Sequence, residues 1–288
     1  RDPAALSAYL RSKIASGREQ YYVFLDEVQY AISREELKNP DVPPRLYGVL
    51  NGLLRMRNVD VYVTGSNSKF LSRDVMTEFR DEVRVRPLSF SEFMQGFDGD
   101  RYQGWAEYTV YGGMPLVASM RTDEQKARYL ERLFEETYLR DVVDRYGVRR
   151  RGELDDLVNV LASGIGTLTN PSKLESTFKS VLHSKISSNT ISSYIGYLED
   201  AFVIEEAQRY DVKGRGYIGS PLKYYFEDVG LRNARLGFRQ VEESHIMENV
   251  VYNELRARGY SVDVGVVEKR VREEGRDVRK QLEVDFVA

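Results

Sequence analysis

The spacing of hydrophobic residues in the first third of the chain predicts a small parallel α/β sheet. Residues 21–25 (YYVFL) form a continuous apolar run that ends in Asp26 and Glu27. This pattern is typical of a buried parallel strand with acids at its carboxyl end. The other predicted elements are helices over residues 4–16 and 44–57 and strands over residues 59–64 and 82–86. Strand, helix and strand joined by short loops indicate the α/β class.

From residue 90 onwards the pattern becomes helical and then returns to strands. Residues 90–150 are predicted to be mostly helical with a break at residues 112–115, and residues 153–210 to form several short helices. Ser187, Ser188 and Asn189 are candidates to cap a helix over residues 190–198. The last segment is predicted to contain strands over residues 222–226, 262–267 and 282–287, a helix over residues 245–258, and a solvated hairpin or loop over the charged run 268–280.

Composition excludes several classes of function. The 288 residues include no cysteine, so disulfides and thiolate metal sites are excluded, and two histidines argue against a histidine-built zinc site. The net charge of -3 does not indicate nucleic-acid binding, although a local basic patch can still provide it. Without a membrane-length apolar run or a signal peptide, the expectation is a cytoplasmic protein with no membrane partner. The chain begins at Arg1 and ends within the apolar run 284–288, so we expect both ends to be cut from a longer polypeptide.

The acids after the first strand and the polar turn after the second suit phosphoryl-transfer chemistry. An aspartate in the position of Asp26 can hold magnesium, and a following glutamate such as Glu27 can polarise an attacking water. Ser66 and Asn67 follow the second strand and are candidates for sensing a γ-phosphate, because ligands bind at the carboxyl edge of open parallel sheets. The alternative is an ordinary strand end with two solvated acids beside an ordinary polar turn.

The order and spacing of many short motifs resemble those of a large group of prokaryotic AAA-type ATPases. Those proteins carry a C-terminal domain of unknown function that looks like a restriction-endonuclease fold. The motifs are LDEVQ at 25–29, TGSNS at 64–68, RPLSFSEF at 86–93, YGGMP at 111–115, YLRDVV at 138–143, FEDVGLRN at 226–233, ENVVYNEL at 248–255 and EVDF at 283–286. The resemblance implies a P-loop NTPase sheet, with ATP and magnesium as ligands.

The resemblance also implies features that this sequence lacks. No G-x-x-x-x-G-K-[ST] phosphate-binding loop occurs in the chain, and we expect it upstream of Arg1. Members tend to carry a Gly-Arg-Gly step before the third strand, whereas Arg80 here runs directly into Asp81, so a few residues are expected to be missing there. An arginine in that step would reach a neighbouring subunit's γ-phosphate, which predicts a homo-oligomer.

The remaining segments resemble two further modules. Residues 167–210 resemble a winged helix-turn-helix, with residues 202–210 and 214–216 as the expected wing. Such modules bind double-stranded DNA in some proteins and a protein partner in others. The last segment resembles a nuclease-like fold in which Glu248, Glu283 and Asp285 would bind magnesium, although these acids can equally be structural or vestigial. The predicted division is an ATPase core over 1–96, a helical lid over 97–151, a winged-helix-like module over 152–216 and a truncated nuclease-like α/β domain over 217–288.

Three functional hypotheses follow from these patterns. The first is an ATP hydrolase in which Asp26 binds magnesium, Glu27 polarises water and Ser66 or Asn67 senses the phosphate. The second is a DNA-binding module or nuclease regulated by the ATPase core. The third is a protein-interaction scaffold with a degenerate ATPase site.

Overall fold

The computed structural model describes residues 2–14, 19–33, 35–36, 42–66, 83–214, 216–239, 242–273 and 276–288. The chain divides into two compact units, Arg1–Arg84 and Val85–Ala288. None of the helices in these described ranges combines the length and apolarity needed to cross a bilayer.

The first unit contains the predicted parallel strand pair. Strand β1 (Tyr21–Leu25) pairs in parallel with strand β2 (Val59–Val63), with Tyr21 opposite Val59 and Leu25 opposite Val63. Helix α1 (Pro3–Lys13) precedes β1, a 3₁₀ turn (Val28–Ala31) follows it, and helix α2 (Arg45–Leu54) leads to β2. The predicted strands and the predicted parallel arrangement are therefore confirmed.

One face of this strand pair is buried and the other is exposed in the described part of the unit. Val23 and Val59 pack against Leu53 of α2, with Leu10 of α1 at the edge of the same cluster. The residues that alternate with them point away from both helices, and the side chains of Tyr22, Phe24 and Tyr62 are 59%, 72% and 50% exposed. The expectation of a fully buried strand is therefore wrong for the described residues, because α1 and α2 cover a single face.

The predicted third strand is not found in the described residues 83–86, which form no regular structure. Val83 and Val85 are 82% and 91% exposed. The Arg86 guanidinium instead pairs with the Glu227 carboxylate at 3.2 Å within the second unit. That ion pair directs Val85 and Arg86 away from a strand ladder.

The second unit begins with the helices that the sequence predicts between residues 90 and 200. They are α3 (Phe90–Gly96), α4 (Arg101–Tyr111), α5 (Pro115–Ala118), α6 (Asp123–Arg132), a π-helical segment (Leu133–Leu139), α7 (Arg140–Tyr146), α8 (Arg151–Ser163), α9 (Pro171–Ser180) and α10 (Ser188–Asp200). Side-chain caps fix several starts: Ser89 and Glu92 form a capping box, and Ser187, one of the three predicted candidates, accepts a hydrogen bond from the Thr190 amide.

Helical spacing explains the core of this unit. On α8, Leu154, Leu157 and Leu161 follow the i, i+3, i+7 pattern of one buried stripe and are at most 3% exposed. They join Leu198 of α10 and Phe226 of the following sheet in one cluster. These helices and the sheet thus share one apolar cluster.

A four-stranded mixed sheet completes the second unit. Its strands are β3 (Ile204–Asp211), β4 (Gly216–Phe226), β5 (Asp263–Glu273) and β6 (Arg276–Val287), with helices α11 (Val229–Arg235) and α12 (Glu243–Ala257) between β4 and β5. The strands lie in the order β4-β3-β5-β6. Strands β5 and β6 pair antiparallel, so the predicted charged hairpin is confirmed. Residues 204–210 form a strand, which agrees with the expected wing and not with the helices expected up to residue 210, because they pair with both β4 and β5.

The hairpin of β3 and β4 occupies the predicted wing. It follows α9 and α10, as a wing follows a helix-turn-helix, but it also belongs to the same sheet as β5 and β6. The expected boundary between residues 216 and 217 therefore falls at the start of β4, which is hydrogen-bonded to β3.

Asp228 connects the helix break at residues 112–115 to the start of α11 through hydrogen bonds. Its carboxylate accepts hydrogen bonds from the amides of Gly113, at 2.7 Å, and Leu231, at 2.9 Å. Burial raises the pKa of Asp228 to about 6, although these amide donors oppose the shift.

The raised pKa of Asp228 predicts a pH-dependent stability. Because the folded pKa lies above the ordinary value of 3.8, the folded state holds this proton more tightly than the unfolded state does. Its contribution to the free energy of unfolding is therefore greatest below about pH 4, declines up to about pH 6 and is constant above. We expect the difference in stability between the wild type and Asp228→Asn, measured by urea unfolding, to change across this window. Parallel pH curves for the two proteins would contradict it.

Candidate functional site

The carboxyl ends of β1 and β2 bring the predicted acids and the polar turn together. The Thr64 hydroxyl donates a hydrogen bond to Asp26 Oδ1 and accepts one from the Glu27 amide at 3.0 Å. The backbone closes the same contact, since the Thr64 amide donates to the Leu25 carbonyl at 2.9 Å and the Val28 amide donates to the Thr64 carbonyl at 3.1 Å. Thr64 therefore fixes the position of Asp26 and the backbone of Glu27.

Glu27 has an unusual backbone conformation. Its φ angle is 49°, in the left-handed region that residues other than glycine rarely adopt. The contacts of the neighbouring amides with Thr64 hold the turn, and the Ser66 hydroxyl donates to Glu27 Oε2 at 3.2 Å. Such backbone strain is concentrated at functional sites in proteins.

Three of the four predicted residues of this site are brought together. Asp26 is exposed, and Glu27 and Ser66 are partly exposed, so all three can contact a ligand. The fourth, Asn67, lies outside the described residues. The donor set consists of carboxylate and hydroxyl oxygens, which are the ligands that magnesium prefers.

The second predicted site has a different arrangement from the one expected. Glu248 of α12 and Glu283 of β6 both pair with the ammonium group of Lys223, at 2.8 and 2.6 Å. The Tyr225 hydroxyl also donates to Glu248, at 2.6 Å. Lys223 is 3% exposed, and it lies between the two carboxylates that were expected to bind a metal.

No cluster of three or more acids or histidines in the described ranges is arranged to hold a metal ion. Asp285 is exposed on β6, two residues beyond Glu283. One buried ammonium group pairs with both Glu248 and Glu283 and offsets only one of their two charges, so the magnesium site formed by the three acids stays a prediction.

Two residues that matter here were missed by sequence reasoning. Thr64 was treated only as part of a polar turn. The available signal was a threonine at the end of one strand beside a neighbouring strand that ends in acids, because its hydroxyl can hydrogen-bond to them. Lys223 was missed because only the three acids of the nuclease-like pattern were considered. A lysine inside the apolar run 222–226 was the available signal, since a lysine buried in a strand requires a carboxylate partner.

Comparisons with known proteins match the segment that carries the first site to an AAA domain and match most of the second unit to a domain of unknown function. Residues 1–94 match an AAA domain, and residues 102–242 match a domain of unknown function, DUF8612. An uncharacterized protein of Haemophilus influenzae is 31% identical over 296 residues, covering all of this chain and 68% of the relative. The uncharacterized protein MJ1544 of Methanocaldococcus jannaschii is 27% identical over 243 residues, covering 79% of this chain and 52% of the relative.

Proposed function

This chain belongs to the same family of AAA-domain proteins as the Haemophilus influenzae relative, and from that premise we propose that it binds and hydrolyses ATP. The observation that supports the proposal is the convergence of Asp26, Glu27 and Ser66 at the carboxyl edge of β1 and β2. This edge is where open parallel sheets bind ligands.

Each side chain of the cluster has a proposed role. ATP with magnesium would supply the γ-phosphoryl group and the divalent positive charge, and Asp26 would hold the magnesium. Glu27 orients and polarises the attacking water, and the Ser66 hydroxyl keeps the Glu27 carboxylate in place through their hydrogen bond. Asn67 is proposed to sense the γ-phosphate beside Ser66.

Thr64 provides a test of whether positioning of the acids matters. Thr64→Val keeps the size of the side chain but removes the hydroxyl that contacts Asp26 and the Glu27 amide. We expect kcat for ATP hydrolysis to fall about 10- to 100-fold with little change in KM, because misplaced catalytic groups lose this much rate. Thr64→Ser keeps the hydroxyl and should restore most of the activity. Equal kcat values for the valine and serine variants would contradict a positioning role.

We further propose that hydrolysis is coupled to binding of double-stranded DNA. The order of α9, α10 and the β3–β4 hairpin, which resembles that of a winged helix, supports this candidate. Magnesium-dependent hydrolysis measured with and without duplex DNA tests it. Stimulation by DNA supports DNA coupling, whereas hydrolysis that ignores DNA favours a protein partner. An ATP site completed by a neighbouring subunit would also make the protein a homo-oligomer.

A further inference from the structure

A cavity between the end of α7 and the start of α10 combines positive charge with aromatic surface. Its volume is about 440 Å³, within the roughly 300–1,000 Å³ of pockets that hold small ligands. The residues that line it include Arg149, Arg150, Lys185, Tyr146, Tyr194 and Tyr197. We refer to it as the α7–α10 pocket.

Two of the three cations at the pocket are available to an anion. The Arg150 guanidinium pairs with the Glu153 carboxylate at 3.1 Å. Arg149 and Lys185 are both exposed, and neither makes an ion pair with any residue in the described ranges. Two unpaired cations on one rim attract a phosphate group, for which arginine has matching donor geometry.

A tyrosine hydroxyl also opens into the pocket. Tyr194 is 7% exposed as a residue, but its hydroxyl oxygen remains accessible to solvent and makes no hydrogen bond within the part of the chain that the structure describes. A hydroxyl that is accessible in a cavity can donate a hydrogen bond to a ligand there. The pocket also adjoins the first turn of α10 at Ser187 and Thr190, where the helix dipole favours negative charge.

The aromatic wall suits a nucleobase. The rings of Tyr146 and Tyr197 are stacked with centroids 3.9 Å apart and planes 6° apart. The Tyr146 hydroxyl donates to Asp200 at 2.8 Å, which fixes this ring. Rigid tyrosine rings beside cations are the combination that binds an unpaired nucleotide, with the base against the rings and the phosphate on the cations.

We propose that the α7–α10 pocket binds one unpaired nucleotide unit, with its phosphate on Arg149 and Lys185, a hydrogen bond from the Tyr194 hydroxyl and its base against Tyr146 and Tyr197. The unit comes either from a free mononucleotide or from a single-stranded nucleic acid. Bases in duplex DNA are already stacked and paired, so this binding mode differs from the duplex contact proposed for the winged-helix arrangement. The pocket lies wholly within Val85–Ala288, so its test is independent of ATP hydrolysis.

Binding of fluorescently labelled oligo-dT by the full chain, and of thymidine monophosphate by calorimetry, tests the proposal. We expect Arg149→Gln/Lys185→Gln to weaken binding of the probe by about tenfold or more, and to reduce the slope of log affinity against log salt by about one to two. Arg101→Gln/Arg239→Gln removes the same charge at exposed positions outside the pocket and should bind like the wild type. Tyr194→Phe, which keeps the ring, should weaken binding about tenfold.

The two probes separate the two sources of the nucleotide. Loss of affinity for both probes assigns the pocket to a mononucleotide unit, and loss for oligo-dT alone assigns it to a strand that requires neighbouring phosphates. Two results would overturn the proposal. One is that neither probe binds the wild type, and the other is that the control pair weakens binding as much as the pocket pair. If the pocket pair fails to fold, wild-type affinity in Tyr194→Phe overturns the hydroxyl contact and with it the proposed binding mode.

Discussion

Glu27→Gln, made in the longer polypeptide that includes the phosphate-binding loop expected upstream of Arg1, is expected to abolish most ATP hydrolysis while leaving ATP binding intact. Glutamine has the size of glutamate and can still accept the hydrogen bond from Ser66, so the turn at the end of β1 is kept. It lacks the carboxylate that polarises water, and loss of a general base lowers rates by about 10²- to 10⁴-fold. Phosphate release at saturating ATP measures hydrolysis, and equilibrium binding of labelled ATP measures ATP binding.

The control for this prediction is an acid of the same unit that lies outside the cluster. Glu35→Gln removes the same charge from an exposed position and should hydrolyse ATP at the wild-type rate. Hydrolysis at the wild-type rate by Glu27→Gln would remove Glu27 from its proposed role. Loss of ATP binding by the same variant would instead assign Glu27 to ligand binding.

Local patterns predicted the elements around this site closely. The apolar run 21–25 is β1 itself, and Ser187, one of three predicted cap residues, caps α10, which begins two residues earlier than expected. Both follow from interactions within a few residues, namely a run bounded by polar turn residues and a side-chain cap on the helix's own amides. The exposure of Phe24 and Tyr62 was not predictable in this way, because it depends on which elements cover the second face of the sheet.

The candidate sites show the same division between local and long-range information. Asp26 and Ser66 were predictable because the ends of parallel strands meet at one edge, a rule of topology that needs only the strand assignments. The partner of Glu248 was not predictable, because Lys223 lies 25 residues before it in the chain. Glu283 lies still further along the chain, on β6, and also pairs with Lys223. Which strand carries the lysine is decided by the strand order β4-β3-β5-β6, which no local pattern fixes.

Lys223→Met is expected to destabilise the second unit strongly. The Glu248 carboxylate, with a side chain 14% exposed, would lose its ammonium partner and keep only the Tyr225 hydroxyl among its contacts described above. Removing one partner of a buried ion pair leaves an uncompensated charge and costs about 3–5 kcal/mol. Urea unfolding followed by the fluorescence of Trp105, which is the single tryptophan and lies on α4 of this unit, measures the change.

The ionisation of Lys223 sets the pH at which this comparison is valid. Burial alone would lower the pKa of Lys223, but the hydrogen bonds and charges of Glu248 and Glu283 together outweigh it and raise the pKa. A raised lysine pKa contributes stability that is fully present below the unfolded pKa of about 10.4 and is lost as pH rises through the folded value. The full effect of Lys223→Met is therefore expected at neutral pH.

Two further measurements separate an ion-pair cluster from a metal site. In Lys223→Met/Glu248→Gln both charges are removed, so the double variant should be more stable than the sum of the single losses predicts, by about 0.5–3 kcal/mol. Lys213→Met, at an exposed position, should change stability by no more than about 0.5 kcal/mol.

Magnesium should leave the wild-type unfolding midpoint of this unit unchanged. A midpoint that rises with magnesium concentration, and no longer does so in Glu248→Gln, would mean that the carboxylates exchange Lys223 for a metal ion.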